Sequence, residues 1–370
     1  MKVALVHERL TEIAGSEHVV TALSREWPDA PVAIPIADLR VAAPFLSQVK
    51  TGSLSSLYRM TGYRSYAPLL PLVPTWLRRC DFSSADAVII SHHAFAVAAA
   101  DAASAKPTVL YVHSPARWAW DKSMRAEESS SRPGWLALEL LSRLAMRTEL
   151  ASVPKITTVV ANSTAVAARI QAQWGRTADV VHPPVNIDFY KPDPAEQRED
   201  FFLLPGRLVP YKRPDVAIRA AAAAGVRLIV AGDGRESIRC RELADGADIT
   251  FLGRVSDDEL RSLYRRAKAM LMPGEEDFGI TPVEAMACGT PVIALGVGGA
   301  LDSVVEGHTG TFVRPGDDGE VIGNFCDALA SFDRGEFDPV AIRMHAERFA
   351  PEVFRKKMGA IVTQAVSAVC

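Results

Sequence analysis

The sequence of 370 residues contains few cysteines, few aromatic residues and almost no net charge. Its cysteines lie far apart and include no CxxC pair; they are Cys80, Cys240, Cys288, Cys326 and Cys370. Because five scattered cysteines fit neither a disulfide framework nor a zinc cluster, we expect a protein of the reducing cytoplasm.

Charge and hydropathy exclude two further classes. The 41 lysines and arginines nearly balance the 44 aspartates and glutamates, which leaves a net charge of −3. That balance is unlike a protein dedicated to nucleic acids, so no nucleic-acid partner is expected. No run of 18 or more residues is free of charged or strongly polar side chains, so no transmembrane helix is expected either.

The sequence does contain a repeated alternation of short apolar runs and amphipathic stretches. Strands are predicted at 2–6, 86–90, 108–112, 156–160, 201–206, 226–232, 249–253, 268–274 and 291–295. Helices are predicted at 17–26, 135–150, 214–224 and about 352–368. This alternation predicts an α/β fold with doubly wound sheets. A proline-rich, charged stretch at 182–200 predicts a boundary between domains 1–180 and 181–350.

Segment 53–79 departs from this pattern, because it interleaves tyrosine, tryptophan, leucine and proline with arginines. It can be a loop with a short helix that packs on its own domain. It can also be a basic, aromatic surface that contacts anionic lipid or a lipid-linked substrate, which would place the protein peripherally on the inner face of the cell membrane. Stacking on nucleic acid is a third alternative.

The stretch 273–300 carries the densest pattern. Thr281, Pro282 and Glu284 have the spacing of a capping box that begins a helix. Phe278, Gly279 and Ile280 precede that helix, where unpaired backbone N–H groups attract phosphate. Glu284 either closes the box or accepts hydrogen bonds from a ribose diol.

A second candidate site lies at 205–215. Arg207 and Lys212 follow a predicted strand that ends at Gly206. The carboxyl ends of parallel strands are where doubly wound folds bind ligands, and two cations there can neutralise a diphosphate.

Taken together, these motifs resemble those of the retaining GT-B glycosyltransferases of family 4. The resemblance rests on Gly206-Arg207 with Lys212, Gly232-Asp233-Gly234, Gly253-Arg254-Val255, and the E-x7-E spacing from Glu276 to Glu284. It implies two Rossmann-like domains that face an interdomain cleft, with a C-terminal helix in 351–370 crossing back to the N-terminal domain.

The resemblance also implies roles for these residues. Arg207 and Lys212 would hold the donor diphosphate, together with the backbone at Phe278, Gly279 and Ile280. Glu284 would hold the ribose, Glu276 would contact the transferred sugar, and the backbone of Val255 would touch the base.

In the N-terminal half, the similarity is carried by fewer residues. Gly15-Ser16 resembles the glycine loop of the family, near the diphosphate and acceptor, although Ala14 stands where a second glycine is usual. His113 corresponds to a histidine that contacts the donor sugar. Its surroundings, with His92-His93 upstream, are most similar to bacterial mannosyltransferases that use GDP-mannose.

These features predict a metal-independent hexosyltransferase with a nucleotide sugar as co-substrate and no cofactor. The expected acceptor is a glycan or lipid-linked saccharide in cell-envelope or exopolysaccharide biosynthesis. A UDP-sugar enzyme of the same fold, a phosphorylase, an epimerase, a non-enzymatic nucleotide-sugar sensor and an enzyme with a soluble acceptor are alternatives.

Overall fold

The computed structural model describes residues 1–42, 48–122, 124–125 and 132–368. The chain divides into two compact units, one formed by Met1–Pro184 with Pro351–Cys370 and the other by Val185–Ala350. Both are α/β units built on parallel sheets, which confirms the predicted fold class. Cys370 lies outside the described residues.

The strands of unit 1, the first of these, form a sheet in the order β5-β3-β1-β6-β7-β8-β9 and a separate pair, β2-β4. Their bounds are β1 Val3–His7, β2 Arg9–Leu10, β3 Val32–Ala33, β4 Ile36–Ala37, β5 Val49–Lys50, β6 Ala87–His92, β7 Thr108–Val112, β8 Thr158–Ala161 and β9 Asp179–Val180. Every residue of β1, β6 and β7 is buried, as expected of central strands covered by helices on both faces.

The helices of unit 1 cover that sheet. They are Gly15–Glu26, Leu39–Ala42, Ser53–Met60, Val73–Leu77, Ala99–Ala102, Arg117–Trp120, Arg132–Ser152, Thr164–Trp174 and Pro351–Ser367, with 3-10 turns at Ala67–Leu72, Ala96–Ala98 and Val153–Lys155. The last helix packs on the first, and Phe354 meets Tyr111 edge to face with ring centroids 5.6 Å apart. The helix predicted near 352–368 therefore belongs to the core of unit 1.

Unit 2 has the strand order β12-β11-β10-β13-β14-β15. The strands are β10 Phe202–Pro205, β11 Leu228–Ala231, β12 Ile249–Gly253, β13 Ala269–Met272, β14 Val292–Leu295 and β15 Gly310–Val313. The helices are Pro214–Ala224, Ser237–Leu243, Asp257–Arg266, Ile280–Ala287, Ala300–Ser303, Asp318–Ser331 and Pro339–Ala346, with 3-10 turns at Pro210–Lys212, Arg334–Glu336 and Glu347–Phe349.

Each sheet contains a point where the direction of strand addition reverses. In unit 1 this switch point lies between β1 and β6, which pair in parallel, with His7 opposite Ser91. In unit 2 it lies between β10 and β13, with Phe202 opposite Ala269. The connections diverge there and leave a crevice beyond the carboxyl ends of the strands, which is where ligands bind in such sheets.

Segment 53–79 folds onto unit 1. Leu54, Tyr58, Leu69, Val73 and Leu77 are buried in its core, which confirms local packing. The segment also leaves large apolar side chains exposed, namely those of Leu57, Met60 and Leu72. In the described ranges, none of the helices combines the length and the apolar character needed to cross a bilayer.

Candidate functional site

The predicted cations of unit 2 lie at its switch point. Arg207 and Lys212 follow β10, Glu276 follows β13, and all three line one recess. The Lys212 ammonium group donates a hydrogen bond to the Glu276 carboxylate. Arg207 is exposed and donates to the Tyr211 hydroxyl at 3.2 Å. The structure therefore brings together three residues that are up to 69 positions apart in sequence.

Backbone packing fixes the position of Lys212. The Pro210–Lys212 turn lies directly against Gly274, where an added Cβ would stand 2.5 Å from the Tyr211 carbonyl oxygen and 2.6 Å from the Lys212 Cα. Only glycine permits that approach. The loop after β13 can thus hold the turn after β10 at a distance where Lys212 reaches Glu276.

The pairing keeps Lys212 charged. Burial by itself lowers the pKa of this lysine, but the neighbouring Glu276 carboxylate outweighs burial, and the pKa of Lys212 is raised. An ammonium group has three N–H donors, and Glu276 occupies one. The remaining donors are available to an anion.

The helix after Glu276 begins differently from the prediction. It runs from Ile280 to Ala287, and its N-cap is Gly279, with a φ of 83°. The prediction that Thr281 caps this helix and that Glu284 closes a capping box is therefore wrong. The left-handed backbone at Gly279 starts the helix two residues before the position that the local pattern suggests, so Thr281 lies inside the first turn.

Glu284 is held by a residue that the sequence did not indicate. The Tyr264 hydroxyl, from the helix Asp257–Arg266, donates to Glu284 Oε2 at 3.2 Å. Burial raises the pKa of Glu284 to about 7, although the Tyr264 hydrogen bond acts in the opposite direction. The carboxyl group is therefore poised to change charge near neutral pH and is free of the capping role.

The switch point of unit 1 carries a different set of groups. His113 follows β7, and its Nε2 atom lies 2.8 Å from the Ser91 hydroxyl of β6. The same hydroxyl lies 3.1 Å from Nδ1 of His7, and Nε2 of His7 lies 3.3 Å from Glu17 Oε1. Two strands, the residue after a third strand and one helix thus contribute four side chains to a continuous hydrogen-bonded chain, the histidine chain.

Glu17 fixes the direction of one hydrogen bond in this chain, the bond from His7. Burial alone would raise the pKa of Glu17, but the hydrogen bond and charge of His7 together lower it to about 2, so the carboxylate only accepts. The Nε2–H of His7 therefore donates to Glu17. The Ser91 hydroxyl contacts Nε2 of His113, so Nδ1 is the nitrogen of that ring left for a ligand.

Burial, with a smaller contribution from His7, lowers the pKa of His113 to about 3, so its ring is neutral at physiological pH. His93 stacks on it with ring centroids 4.5 Å apart, and burial lowers the pKa of His93 as well. His92 turns the other way, to Glu149 at 3.1 Å. The two adjacent histidine side chains therefore contact different parts of unit 1.

Gly15 and Ser16 lie next to Glu17, which is one end of the histidine chain. Gly15 and Ser16 open the helix Gly15–Glu26, and the backbone N–H of Ala14 donates to Glu17 Oε2 at 3.1 Å. Val255 follows β12 and, like Phe278, Gly279, Ile280 and Glu284, is not among the residues that line the recess of unit 2. Within the described ranges, no group of three or more histidine, cysteine or acidic side chains is arranged to hold a metal ion.

Sequence reasoning missed His7, Glu17, Ser91 and Tyr264. His7 ends the first buried strand, and that position was a usable signal, because ligand-facing groups gather at strand ends. Ser91 and Tyr264 carry no local signal, since their importance comes from contacts 22 and 20 residues away in sequence.

Two family profiles match consecutive parts of the chain. Glycosyltransferase Family 4 matches residues 13–189, and Glycosyl transferases group 1 matches residues 186–330. D-inositol 3-phosphate glycosyltransferase of Mycobacterium tuberculosis (strain ATCC 25618 / H37Rv) is 37% identical over 203 residues, which cover 47% of this chain and 41% of that protein. The same protein of Mycobacterium bovis (strain ATCC BAA-935 / AF2122/97) matches equally. The chain thus spans less than half the length of these relatives.

Solved structures share the fold over nearly the whole chain. Anabaena Alr3699/HepE in complex with UDP has a TM-score of 0.71 at 21% identity and covers 98% of this chain and 100% of its own. Sucrose-phosphate synthase from Thermosynechococcus elongatus has a TM-score of 0.65 at 17% identity, with both chains covered completely. At such identities the likeness concerns the fold. The two profile matches identify residues 13–189 as a family 4 region and residues 186–330 as a group 1 region, and the likeness in fold shows the GT-B architecture.

Proposed function

We propose that the protein is a retaining hexosyltransferase that moves mannose from GDP-mannose onto a glycan or lipid-linked saccharide. The observation that carries this proposal is the contact between Lys212 and Glu276 at the switch point of unit 2, beside the start of the helix Ile280–Ala287. A fixed cation, a helix N-terminus and a strand-end crevice together suit a nucleoside diphosphate.

Each part of the donor has a complementary group in unit 2. Lys212 has two donors left for phosphate oxygens, and the exposed guanidinium of Arg207 offers a planar fork to the same diphosphate. Glu284, when ionised, can accept hydrogen bonds from both hydroxyls of a ribose. Glu276 would orient the transferred sugar, and the backbone at Val255 would meet the base.

The reaction breaks the bond between the anomeric carbon and the phosphate oxygen. Arg207, Lys212 and the backbone N–H groups at Gly279 and Ile280 would stabilise the negative charge that develops on the departing diphosphate. The acceptor hydroxyl attacks the anomeric carbon from the face that the diphosphate leaves, and its proton passes to the departing phosphate oxygen. The anomeric configuration is retained without a covalent intermediate.

We infer that no metal ion or other cofactor is required, because the two cations already supply positive charge where the diphosphate would bind. In unit 1, Nδ1 of the neutral His113 ring would contact a hydroxyl of the sugar. A neutral ring suits this role better than an imidazolium, whose two nitrogens can only donate.

The base of the donor has two candidates. GDP-mannose follows from the similarity of the region around His113 to GDP-mannose-dependent mannosyltransferases. A UDP-sugar is the second candidate, and it is favoured by the likeness to Alr3699/HepE, which was solved with UDP and with UDP-glucose.

Thermal-shift titrations with GDP, GDP-mannose, UDP, UDP-glucose and ADP-glucose would separate these candidates. Ligand at 100 times its Kd stabilises a folded protein by about 2.7 kcal/mol, which is readily measured. We expect the largest increase in melting temperature with GDP-mannose. In a separate transfer assay, NMR of the product should show an α-linkage between mannose and the acceptor. Shifts with UDP compounds alone would establish the second candidate, and binding without turnover would establish a sensor.

A shift with none of the five nucleotides would refute the site assignment. Turnover that requires free phosphate would identify a phosphorylase, and conversion of the nucleotide sugar without any acceptor would identify an epimerase.

A further inference from the structure

Unit 1 contains a cavity of about 1120 Å³ that none of the roles above uses. It lies between the segment around Tyr66 and the helix Arg132–Ser152. Its lining is mainly apolar and includes Tyr66, Leu70, Phe95, Trp118, Leu141 and Leu144. A trough of this size and character suits a hydrocarbon chain better than a saccharide, because a saccharide needs many polar partners.

The cavity is also lined by two arginines. Arg9 stacks over the Tyr66 ring at 4.8 Å, and Arg64 is exposed. Neither is ion-paired with a carboxylate in the part of the chain that the structure describes. Glu8 lines the cavity as well, but it is only 1% exposed, and one of its oxygens accepts three backbone N–H groups, from Ala94, Phe95 and Ala96. The arginines are therefore available to an anionic ligand.

The cavity adjoins the histidine chain. His93 lines it and stacks on His113. Arg9 begins β2, shortly after the end of β1, and His93 follows β6; β1 and β6 pair at the switch point of unit 1. Cationic and apolar surfaces are thus continuous with the histidines.

We propose that this cavity binds a lipid-linked acceptor, with the hydrocarbon chain between Tyr66 and the helix Arg132–Ser152 and the phosphate on Arg9 and Arg64. This proposal rests on the proposed function, because the bound amphiphile is an acceptor only if the protein transfers a sugar to it. It assigns one class of ligand, an amphiphile with a phosphate or diphosphate head and a polyisoprenoid-like tail.

Calorimetric binding of farnesyl diphosphate to the full chain tests this directly. Ala137→Trp fills the cavity from an exposed helical position, and Ala151→Trp places the same side chain at an exposed position of the same helix outside the cavity. We expect Ala137→Trp to weaken binding at least tenfold and Ala151→Trp to leave it unchanged. Arg9→Gln should weaken it similarly, with Arg59→Gln, an exposed arginine outside the lining, as its control.

Three further probes separate the sources of affinity. Farnesol should lose affinity only in Ala137→Trp, and inorganic diphosphate only in Arg9→Gln. If farnesyl diphosphate binds equally to all four variants, the proposal is wrong. If phosphatidylglycerol vesicles bind and Arg9→Gln and Arg59→Gln reduce that binding equally, the region is a membrane surface instead, which also overturns the proposal.

Nucleotide binding in the same preparations keeps the two proposals distinct. Ala137→Trp and Arg9→Gln should bind GDP or UDP as the unsubstituted protein does, because neither residue belongs to unit 2. Farnesyl diphosphate binding without any nucleotide binding would refute the proposed function alone. Nucleotide binding without farnesyl diphosphate binding would refute only the lipid cavity.

Discussion

The two sheets of this protein have closely similar strand orders and very different chemistry where those orders reverse. At the switch point of unit 2, Lys212 and Glu276 form an ion pair beside a third charged group, Arg207. At the switch point of unit 1, His113 is neutral and Ser91 links it to His7. Topology thus determines where polar groups collect, while the side chains determine whether they bind charge or neutral hydroxyls.

The two switch points differ in charge because the neighbours of Lys212 and of His113 differ. Lys212 stays cationic because a carboxylate lies next to it, and the two side chains are 22% and 21% exposed. The histidines of unit 1 have no such partner at His113, so burial keeps that ring neutral. We therefore expect the removal of a charge to be most damaging in unit 2 and the loss of a hydrogen bond to matter in unit 1.

The largest effect is expected for Lys212→Ala. It removes the fixed cation and leaves Glu276 facing the phosphate, so sugar transfer should fall by roughly 100- to 1000-fold, as on removal of a group that stabilises developing charge. Steady-state transfer from the preferred donor measures this. Lys268→Ala is the matched control, because Lys268 is similarly exposed and also pairs with a carboxylate, Asp200.

The next effect concerns stability in unit 1. The folded-state pKa of Glu17 is about 2, against 4.5 for an unperturbed glutamate, so its ionised form stabilises the fold above pH 4.5, and this contribution is lost as the pH falls towards 2. Glu17→Gln should lower the unfolding free energy by about 3 kcal/mol at pH 7. Urea unfolding of both proteins between pH 7 and 3 should show the difference shrinking with acidity.

Glu26→Gln, on the same helix but half-exposed, is the control for that experiment and should change the unfolding free energy by less than about 0.5 kcal/mol. A difference between Glu17→Gln and the unsubstituted protein that does not depend on pH would contradict the stabilising role assigned to the ionised Glu17 carboxylate.

A smaller effect is expected for Glu284. Glu284→Ala should weaken nucleotide binding roughly tenfold or more, since hydrogen bonds to a charged group contribute about 1.5–3 kcal/mol. Because the pKa of Glu284 is about 7 and ribose hydroxyls favour the carboxylate, affinity should fall as the pH is lowered from 8 to 6. Calorimetry should show that slope disappear in Glu284→Gln and persist in Glu242→Gln, an exposed control.

The smallest effect is expected for Ser91→Ala, which interrupts the histidine chain without changing a charge. Turnover should fall roughly tenfold, as for the loss of one or two neutral hydrogen bonds, and nucleotide affinity should not change. If nucleotide affinity falls as much as turnover, the chain does not act separately from the phosphate site, and the contrast between the two switch points is lost.

The main strands and several helices could be predicted from the sequence alone. Runs such as 108–112 and 249–253 were predicted with the observed bounds, because continuous β-branched apolar residues bounded by turns have few other uses. The helix 214–224 was also predicted to the residue, since Pro214 can begin a helix and Gly225 can end it. Two-residue strands such as Arg9–Leu10 were missed, because so short a run shows no periodicity.

The candidate site was only partly predictable. Arg207, Lys212, Glu276 and Glu284 were identified from their motifs, but the pairing of Lys212 with Glu276 depends on a contact between loops that are distant in sequence. The predicted capping box at Thr281 was wrong. Its sequence pattern is purely local, whereas the helix start depends on the left-handed backbone of Gly279.

The central claim is that the switch point of unit 2 holds the diphosphate of the donor. Amide hydrogen exchange of the full chain, with and without GDP or UDP, tests it most directly. We expect protection to increase at 206–213 and 276–284, with no increase in the Lys212→Ala variant. Protection confined to other segments, or unchanged by Lys212→Ala, would contradict it.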